Sequence, residues 1–114
     1  MLPTAQILIW QQLFTLLSNL PSESTPELKA SLHQAIELFE TEIIPQDLDI
    51  LPDPIAGKMR SYLTESHRLL RLISMDALFI STARDPTTID FRRQAYRHKL
   101  ELLLQYCQAV IDNS

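Results

Sequence analysis

The side chains that could bind a transition metal in this chain are three histidines and one cysteine. His33, His67 and His98 lie in three different apolar-periodic segments. In our interpretation, none of them has a carboxylate or a second histidine at the spacing of metal ligands. Glu65, for example, is two residues from His67 and lies on another helical face. Tetrahedral zinc sites need clustered cysteines and histidines. We therefore expect no metal site, and we expect His67 and His98 at the rim of a packed face.

Asp76 is an acidic residue inside the most continuously apolar segment, residues 68–84. On a helical wheel it borders the main apolar stripe, where an unpaired carboxylate would cost free energy. No second acid is placed to form a catalytic pair with it. We expect Asp76 to be partly buried and ion-paired with a basic residue of the last helix, such as Arg93. Catalysis is the weaker interpretation.

Cys107 lies on the apolar stripe of the last segment, which predicts a buried and inert thiol. With one cysteine there is no internal disulfide, and this is typical of a reduced compartment. One glycine cannot supply a phosphate-binding loop, a dinucleotide fingerprint or a nucleophile elbow. We also see no signal peptide. The expectation is a cytoplasmic protein that is not an enzyme and holds no cofactor.

The formal net charge of −4 is divided unevenly along the chain. Residues 1–57 carry eight acids and one base, a net charge of −7, whereas residues 58–114 carry nine bases and six acids, a net charge of +3. Such asymmetry can steer a partner. A basic cluster spans two helical turns of an acidic chain, which favours an acidic protein partner and no nucleic acid. Its members are Arg92, Arg93, Arg97, His98 and Lys99.

Composition predicts an all-α fold in a single domain, residues 1–114. Hydrophobic residues make up 46% of the chain, and one glycine is too few for the tight turns of a β-fold. Seven prolines lie between apolar runs and never inside one, so they mark helix ends. Arg71 and Asp76 interrupt the longest apolar run, which falls short of the ~20 residues that a membrane span needs. We expect a soluble protein.

Apolar residues recurring every three or four positions predict four helices. The first covers residues 4–20, the second runs from 26 to the proline at 45, and the long third covers 55–83. The fourth follows a turn at residues 83–88. Short loops predict a small antiparallel four-helix bundle in up-down-up-down order. The predicted N-caps are Thr25, Asp53, and Asp85 or Thr87, with Asp90 completing a capping box in the last helix.

The third helix is apolar on two sides. One stripe, which includes Leu69, Ile73 and Ala77, faces the core, and a second stripe lies roughly opposite. The last helix has a weaker second stripe of its own. A helix with two apolar sides must be covered on both. We expect these second stripes and the nearby bases to contact a partner or a second copy of the chain, unless the first two helices bury both sides. The candidate contact residues are Arg68, Arg71, Leu72, Met75, Phe79, Phe91, Arg92, Arg97, Lys99, Leu102 and Tyr106.

Two stretches resemble the cyanobacterial heterocyst frequency control protein PatD family. Residues 69–86 read LLRLISMDALFISTARDP and residues 102–111 read LLLQYCQAVI. The likeness is most specific over the last 50 or so residues, and it covers the first two helices mainly in length and character. It implies a non-enzymatic regulator that binds the tubulin-like division protein FtsZ and modulates its assembly. Cell division and heterocyst frequency would follow from that binding, and the protein would be recruited to the division site.

Two other classes stay open at this point. The chain could be an obligate homodimer whose second stripes bury each other, with a structural role. It could also be an adaptor for another protein partner.

Overall fold

The computed structural model describes residues 2–21 and 25–112, and in these ranges it is all-α with no strand. Its four α-helices are α1 (Thr4–Ser18), α2 (Pro26–Leu38), α3 (Ile55–Thr82) and α4 (Pro86–Asp112). A π-helical turn, Phe39–Ile43, continues α2, and a 3₁₀ turn, Leu48–Ile50, lies in the connection to α3. The prediction of a four-helix bundle with a long third helix is confirmed. Among the helices of the described ranges, none combines the length and the hydropathy that a membrane span requires.

Side-chain caps begin two of the helices as the sequence predicted. The Thr25 hydroxyl accepts a hydrogen bond from the Leu28 N–H at 3.3 Å, ahead of a proline at the first position of α2. The Asp85 carboxylate accepts from the Thr88 N–H at 3.2 Å at the start of α4. Both caps satisfy a backbone donor that the helix leaves unpaired.

Two capping predictions were wrong. Asp53 does not cap α3, which follows Pro54 without a side-chain cap, because the Pro52 carbonyl accepts from the Ala56 N–H at 3.1 Å instead. Asp90 does not complete a capping box. With Asp85 as the cap, the third helical position belongs to Thr88, two residues earlier.

Contacts along α3 and α4 occur in opposite sequence order. Near the start of α3, the Tyr62 ring lies 5.8 Å from the ring of Tyr106, and farther along Asp76 contacts Lys99. The two helices therefore run antiparallel over most of their length. At about 1.5 Å per residue each is roughly 40 Å long, and this hairpin accounts for the 50 × 22 × 19 Å shape of the molecule.

The π-helical turn brings three aromatic rings together where α1, α2 and α3 meet. The Phe39 ring is fully buried, lies edge-on to Trp10 at 5.9 Å and stacks on His67 at 5.4 Å. The Trp10 indole N–H donates to the Gln46 side chain at 3.3 Å. The wider turn thus positions a ring that ties α1 and α3 to the end of α2.

The apolar core draws on all four helices. Leu69, Ile73 and Ala77 of the main stripe of α3 are buried, as predicted. The side chains with 0% exposure are Leu13, Ala35, Phe39, Ile43, Leu70, Ile73, Leu103 and Cys107 together with the polar Ser66.

Replacing Phe39 with alanine should lower the free energy of unfolding by about 3 to 5 kcal/mol, because a large cavity would open where three helices meet. Urea denaturation followed by circular dichroism measures the change. Phe91→Ala is the matched control, since that ring is 68% exposed, and it should change stability by about 0.5 kcal/mol or less. Equal losses in the two variants would contradict the packing described here.

Candidate functional site

A buried ion cluster lies between α3 and α4. The Asp76 side chain is 4% exposed, and its Oδ2 lies 2.5 Å from the Lys99 ammonium. Its Oδ1 lies 3.7 Å from a terminal nitrogen of Arg92. The prediction that Asp76 is buried and paired is confirmed. Two cations compensate the desolvation of the carboxylate, and this arrangement gives the cluster a structural role.

Arg93 is not the partner of Asp76, so that prediction was wrong. Arg92 and Lys99 are seven residues apart and therefore share one face of α4, which is the face turned to α3. Arg93 is rotated by about 100° from Arg92, and its Nε atom is buried without a hydrogen-bond partner in the described residues.

Arg92 also connects the buried cluster to the surface. Its guanidinium lies over the Phe79 ring, 4.5 Å from the ring centroid, a geometry that favours cation–π attraction. The Phe79 side chain is 41% exposed. One arginine thus contacts a buried carboxylate and a surface aromatic ring, which links the position of that ring to the interior.

The second stripes of α3 and α4 lie on one open side of the α3–α4 hairpin. We call this side the outer face and define it as Leu72, Met75, Phe79, Phe91, Leu102 and Tyr106. Met75 is 51% and Phe91 68% exposed, whereas Leu72, Leu102 and Tyr106 are half-buried. The alternative, in which α1 and α2 bury both sides of α3, does not fit these exposures. The structure therefore presents an apolar face on two long, mutually supported helices.

The candidate basic residues around this face are mostly engaged by acids. Arg68 pairs with Glu65 at 2.9 Å within α3, and Arg71 pairs with Glu40 of the π-helical turn. Arg92 and Lys99 hold Asp76, as described above. Arg97 is exposed and has no ion pair within the described residues. That these five cations contact a partner stays a prediction, and in the described part of the chain Arg97 alone among them has no ion pair.

The histidines remain separate in the fold. His33 lies 3.7 Å from Glu37 one turn later, both well exposed, so the interpretation that no histidine has a carboxylate at ligand spacing was wrong for this pair. His67 is half-buried against Phe39 with its Nε2 3.7 Å from Glu40, and His98 is exposed. In the described ranges, no three His, Cys, Asp or Glu side chains come together as metal ligands.

Cys107 is fully buried, as predicted. Burial raises the pKa of its thiol from 9.0 to about 12. Because the thiolate is the reactive form, this side chain packs as a small hydrophobe. Burial likewise raises the pKa of the Tyr96 hydroxyl on the same helix.

The sequence analysis missed a groove between α2 and α3. It encloses about 920 Å³ and is lined by residues 25–36 of the α2 region and 74–81 of α3. Leu78 on its wall is 59% exposed, yet this residue belongs to neither apolar stripe of α3. Its isolated position was the signal available in the sequence, since a leucine off both stripes has no place in the core.

Comparison of the chain with protein-family models, with curated proteins and with solved structures finds no match.

A double-mutant cycle should distinguish the true partner of Asp76 from its neighbour. Asp76→Ala should cost about 3 kcal/mol, since it leaves buried cations without their carboxylate. Combining Asp76→Ala with Lys99→Met should show a coupling energy of about 1 kcal/mol or more in urea denaturation, because the two groups touch. The matched pair of Asp76→Ala with Arg93→Met should be additive within about 0.5 kcal/mol. Stronger coupling to Arg93 would contradict the cluster.

The Cys107 thiol should be unreactive towards a thiol-specific chromogenic disulfide at pH 8 in the folded protein and react fully in denaturant. The single cysteine makes the readout unambiguous. Burial raises the pKa of the folded thiol to about 12, from 9.0 when it is exposed in the unfolded chain. Its contribution to stability is therefore complete below pH 9 and is lost as the pH rises towards 12. Cys107→Ala should therefore flatten the alkaline fall in stability. Rapid labelling of the native protein would show that the thiol is accessible.

Proposed function

We propose that this chain is a non-enzymatic regulator that binds FtsZ through the outer face of α3 and α4 and modulates filament assembly. The observation that carries the proposal is the exposure of Met75, Phe79 and Phe91 on one side of the long hairpin. The partner itself comes from the resemblance of residues 69–86 and 102–111 to the PatD family. Through that partner, the protein would influence cell division and heterocyst frequency from the cytoplasm, with recruitment to the division site.

The outer face has the features of a protein-binding surface. Aromatic, methionine and arginine side chains are enriched at protein interfaces, and a few buried aromatic and arginine side chains carry most of the binding energy. The contact of the Arg92 guanidinium with the Phe79 ring would reduce the side-chain freedom that this ring loses on binding. Fully burying a side chain of this size contributes about 1.5 to 3 kcal/mol. The part of that free energy that belongs to the still exposed surface can be gained when a partner covers it.

Electrostatic steering is the weaker part of this proposal. The pairing of Arg68 with Glu65 and of Arg71 with Glu40 reduces the field that these cations project. The net charge of +3 on residues 58–114 still favours an acidic partner surface. We therefore expect the rate of association to fall modestly as salt rises, while the apolar contact persists.

The second candidate function is a homodimer that buries the outer face against its own copy. The exposure of Phe91 favours it, because a monomer rarely leaves several large apolar side chains open on one side. A structural scaffold or an adaptor for another protein would then be the biological role. Size-exclusion chromatography with light scattering distinguishes a homodimer from a monomer. The FtsZ proposal requires a chain whose outer face is accessible.

Co-sedimentation with FtsZ and GTP tests the proposal. The wild-type chain should pellet with the filaments, and Phe91→Asp should reduce the pelleted fraction at least about tenfold, because a charge would be desolvated at the contact. Ile50→Asp is the matched control, since Ile50 is 60% exposed but lies on the 3₁₀ turn away from the outer face. Its pelleting should equal that of the wild type. Absence of wild-type pelleting, or equal pelleting of the Phe91 variant, would contradict the proposal.

A further inference from the structure

The geometry points to the α2–α3 groove as a second docking site, which takes an acidic amphipathic helix from a protein partner. This inference is independent of the FtsZ proposal. At about 100° per residue, the groove residues of α3 (Ser74, Ala77, Leu78 and Ser81) lie roughly opposite the outer face on that helix. A molecule bound in the groove would leave the outer face free.

At one end of the groove, α2 and α3 are held together. Phe39 stacks on His67, and Glu40 pairs with Arg71, all beside the π-helical turn. Towards the start of α2 the lining continues through residues 25–36 and 74–81. At 1.5 Å per residue, the α2 side of the groove is about 17 Å long. That length accommodates about three turns of a partner helix.

Its lining is suited to an apolar helix face. Leu28 and Leu32 form a buried floor, and Leu78 projects from the α3 wall with 59% of its surface exposed. The two serine hydroxyls of that wall are already satisfied within α3. Ser74 donates to the Leu70 carbonyl at 3.1 Å, and Ser81 donates to the Leu78 carbonyl at 2.6 Å. An apolar side chain can therefore cover this wall without leaving these hydroxyls unpaired.

The charge of the lining residues determines which kind of helix this groove can bind. Lys29 is the one base among residues 1–57, and it lines this groove. It is exposed, and in the described part of the chain no carboxylate pairs with it. His33 lies one turn later on the same side, with Glu37 at 3.7 Å. An acidic residue flanking the apolar stripe of the partner helix would pair with Lys29.

A second groove, on the other side of α2, supports the choice of the α2–α3 groove as the site for an acidic helix. It lies between α1 and α2, encloses about 780 Å³ and is lined by Glu37, Glu42 and the amide side chains of Gln11, Gln12 and Gln34. Its carboxylates would repel an acidic helix. The two grooves that flank α2 thus differ in charge, and the α2–α3 groove is the one that suits an acidic ligand.

The probe for this inference is a fluorescein-labelled synthetic helix of 18 residues, with leucines spaced three and four apart and glutamates beside them. Its charge-reversed twin has lysine at each glutamate position. Fluorescence anisotropy should show saturable binding of the acidic peptide and at least about fivefold weaker binding of the lysine twin. Circular dichroism of the mixture should show a gain of helix, as expected for a helix in a groove.

Two variants with matched controls test the location. Lys29→Glu should weaken binding of the acidic peptide about fivefold. Lys58→Glu, also at an exposed lysine, should leave that binding unchanged. Leu78→Gln should weaken binding about tenfold, whereas Ile50→Gln, with 60% exposure, should not. The inference is overturned if the acidic peptide does not bind, if its lysine twin binds as well, or if both members of a pair behave alike. It is also overturned if light scattering shows a dimer that Leu78→Gln dissociates, because a second copy would then fill the groove.

Discussion

The carboxylate of Asp76 in the interface between α3 and α4 is the constraint on which the rest of the arrangement depends. A buried carboxylate must meet cations at short range, and Lys99 and Arg92 meet it from the same face of α4. Apolar stripes alone would allow the two helices to slide past each other by a turn. The ion cluster stabilises one register, because a slip of one turn would move both cations about 5 Å from their carboxylate.

That register also fixes the surface proposed to bind a partner. In it, Arg92 contacts Asp76 inside and Phe79 outside, and the second stripes of the two helices lie side by side. The outer face is therefore a consequence of the same packing that stabilises the hairpin. On the opposite side of α3, the contacts beside the π-helical turn hold α2 against α3 at one end of the groove that residues 25–36 and 74–81 line. Both candidate surfaces follow from the way α3 is held by its neighbours.

The sequence predicted the bundle well because helix ends and apolar periodicity are local signals. Thr25 and Asp85 cap helices through atoms within three residues of themselves, and the stripe of Leu69, Ile73 and Ala77 follows from rotation per residue. The partner of Asp76 could not be chosen in this way, because the sequence alone does not show whether the side of α4 with Arg92 and Lys99 or the side with Arg93 faces α3. The π-helical turn and the groove beside Leu78 likewise depend on packing between distant segments. The sequence pattern predicted the second apolar stripes, but the pairing of the nearby Arg68 with Glu65 and of Arg71 with Glu40 depends on the folded chain.

Methionine methyl signals in a nuclear magnetic resonance titration test the central claim most directly, namely that the outer face contacts FtsZ. Met75 lies on that face with 51% exposure, and Met59 is buried at 4%, so one spectrum contains the probe and its internal reference. With ¹³C-methyl methionine and FtsZ kept unassembled by GDP, the account predicts a progressive chemical-shift change at Met75 with Met59 unchanged. A Met75 signal that stays in place while FtsZ binding is detected by another method would contradict it.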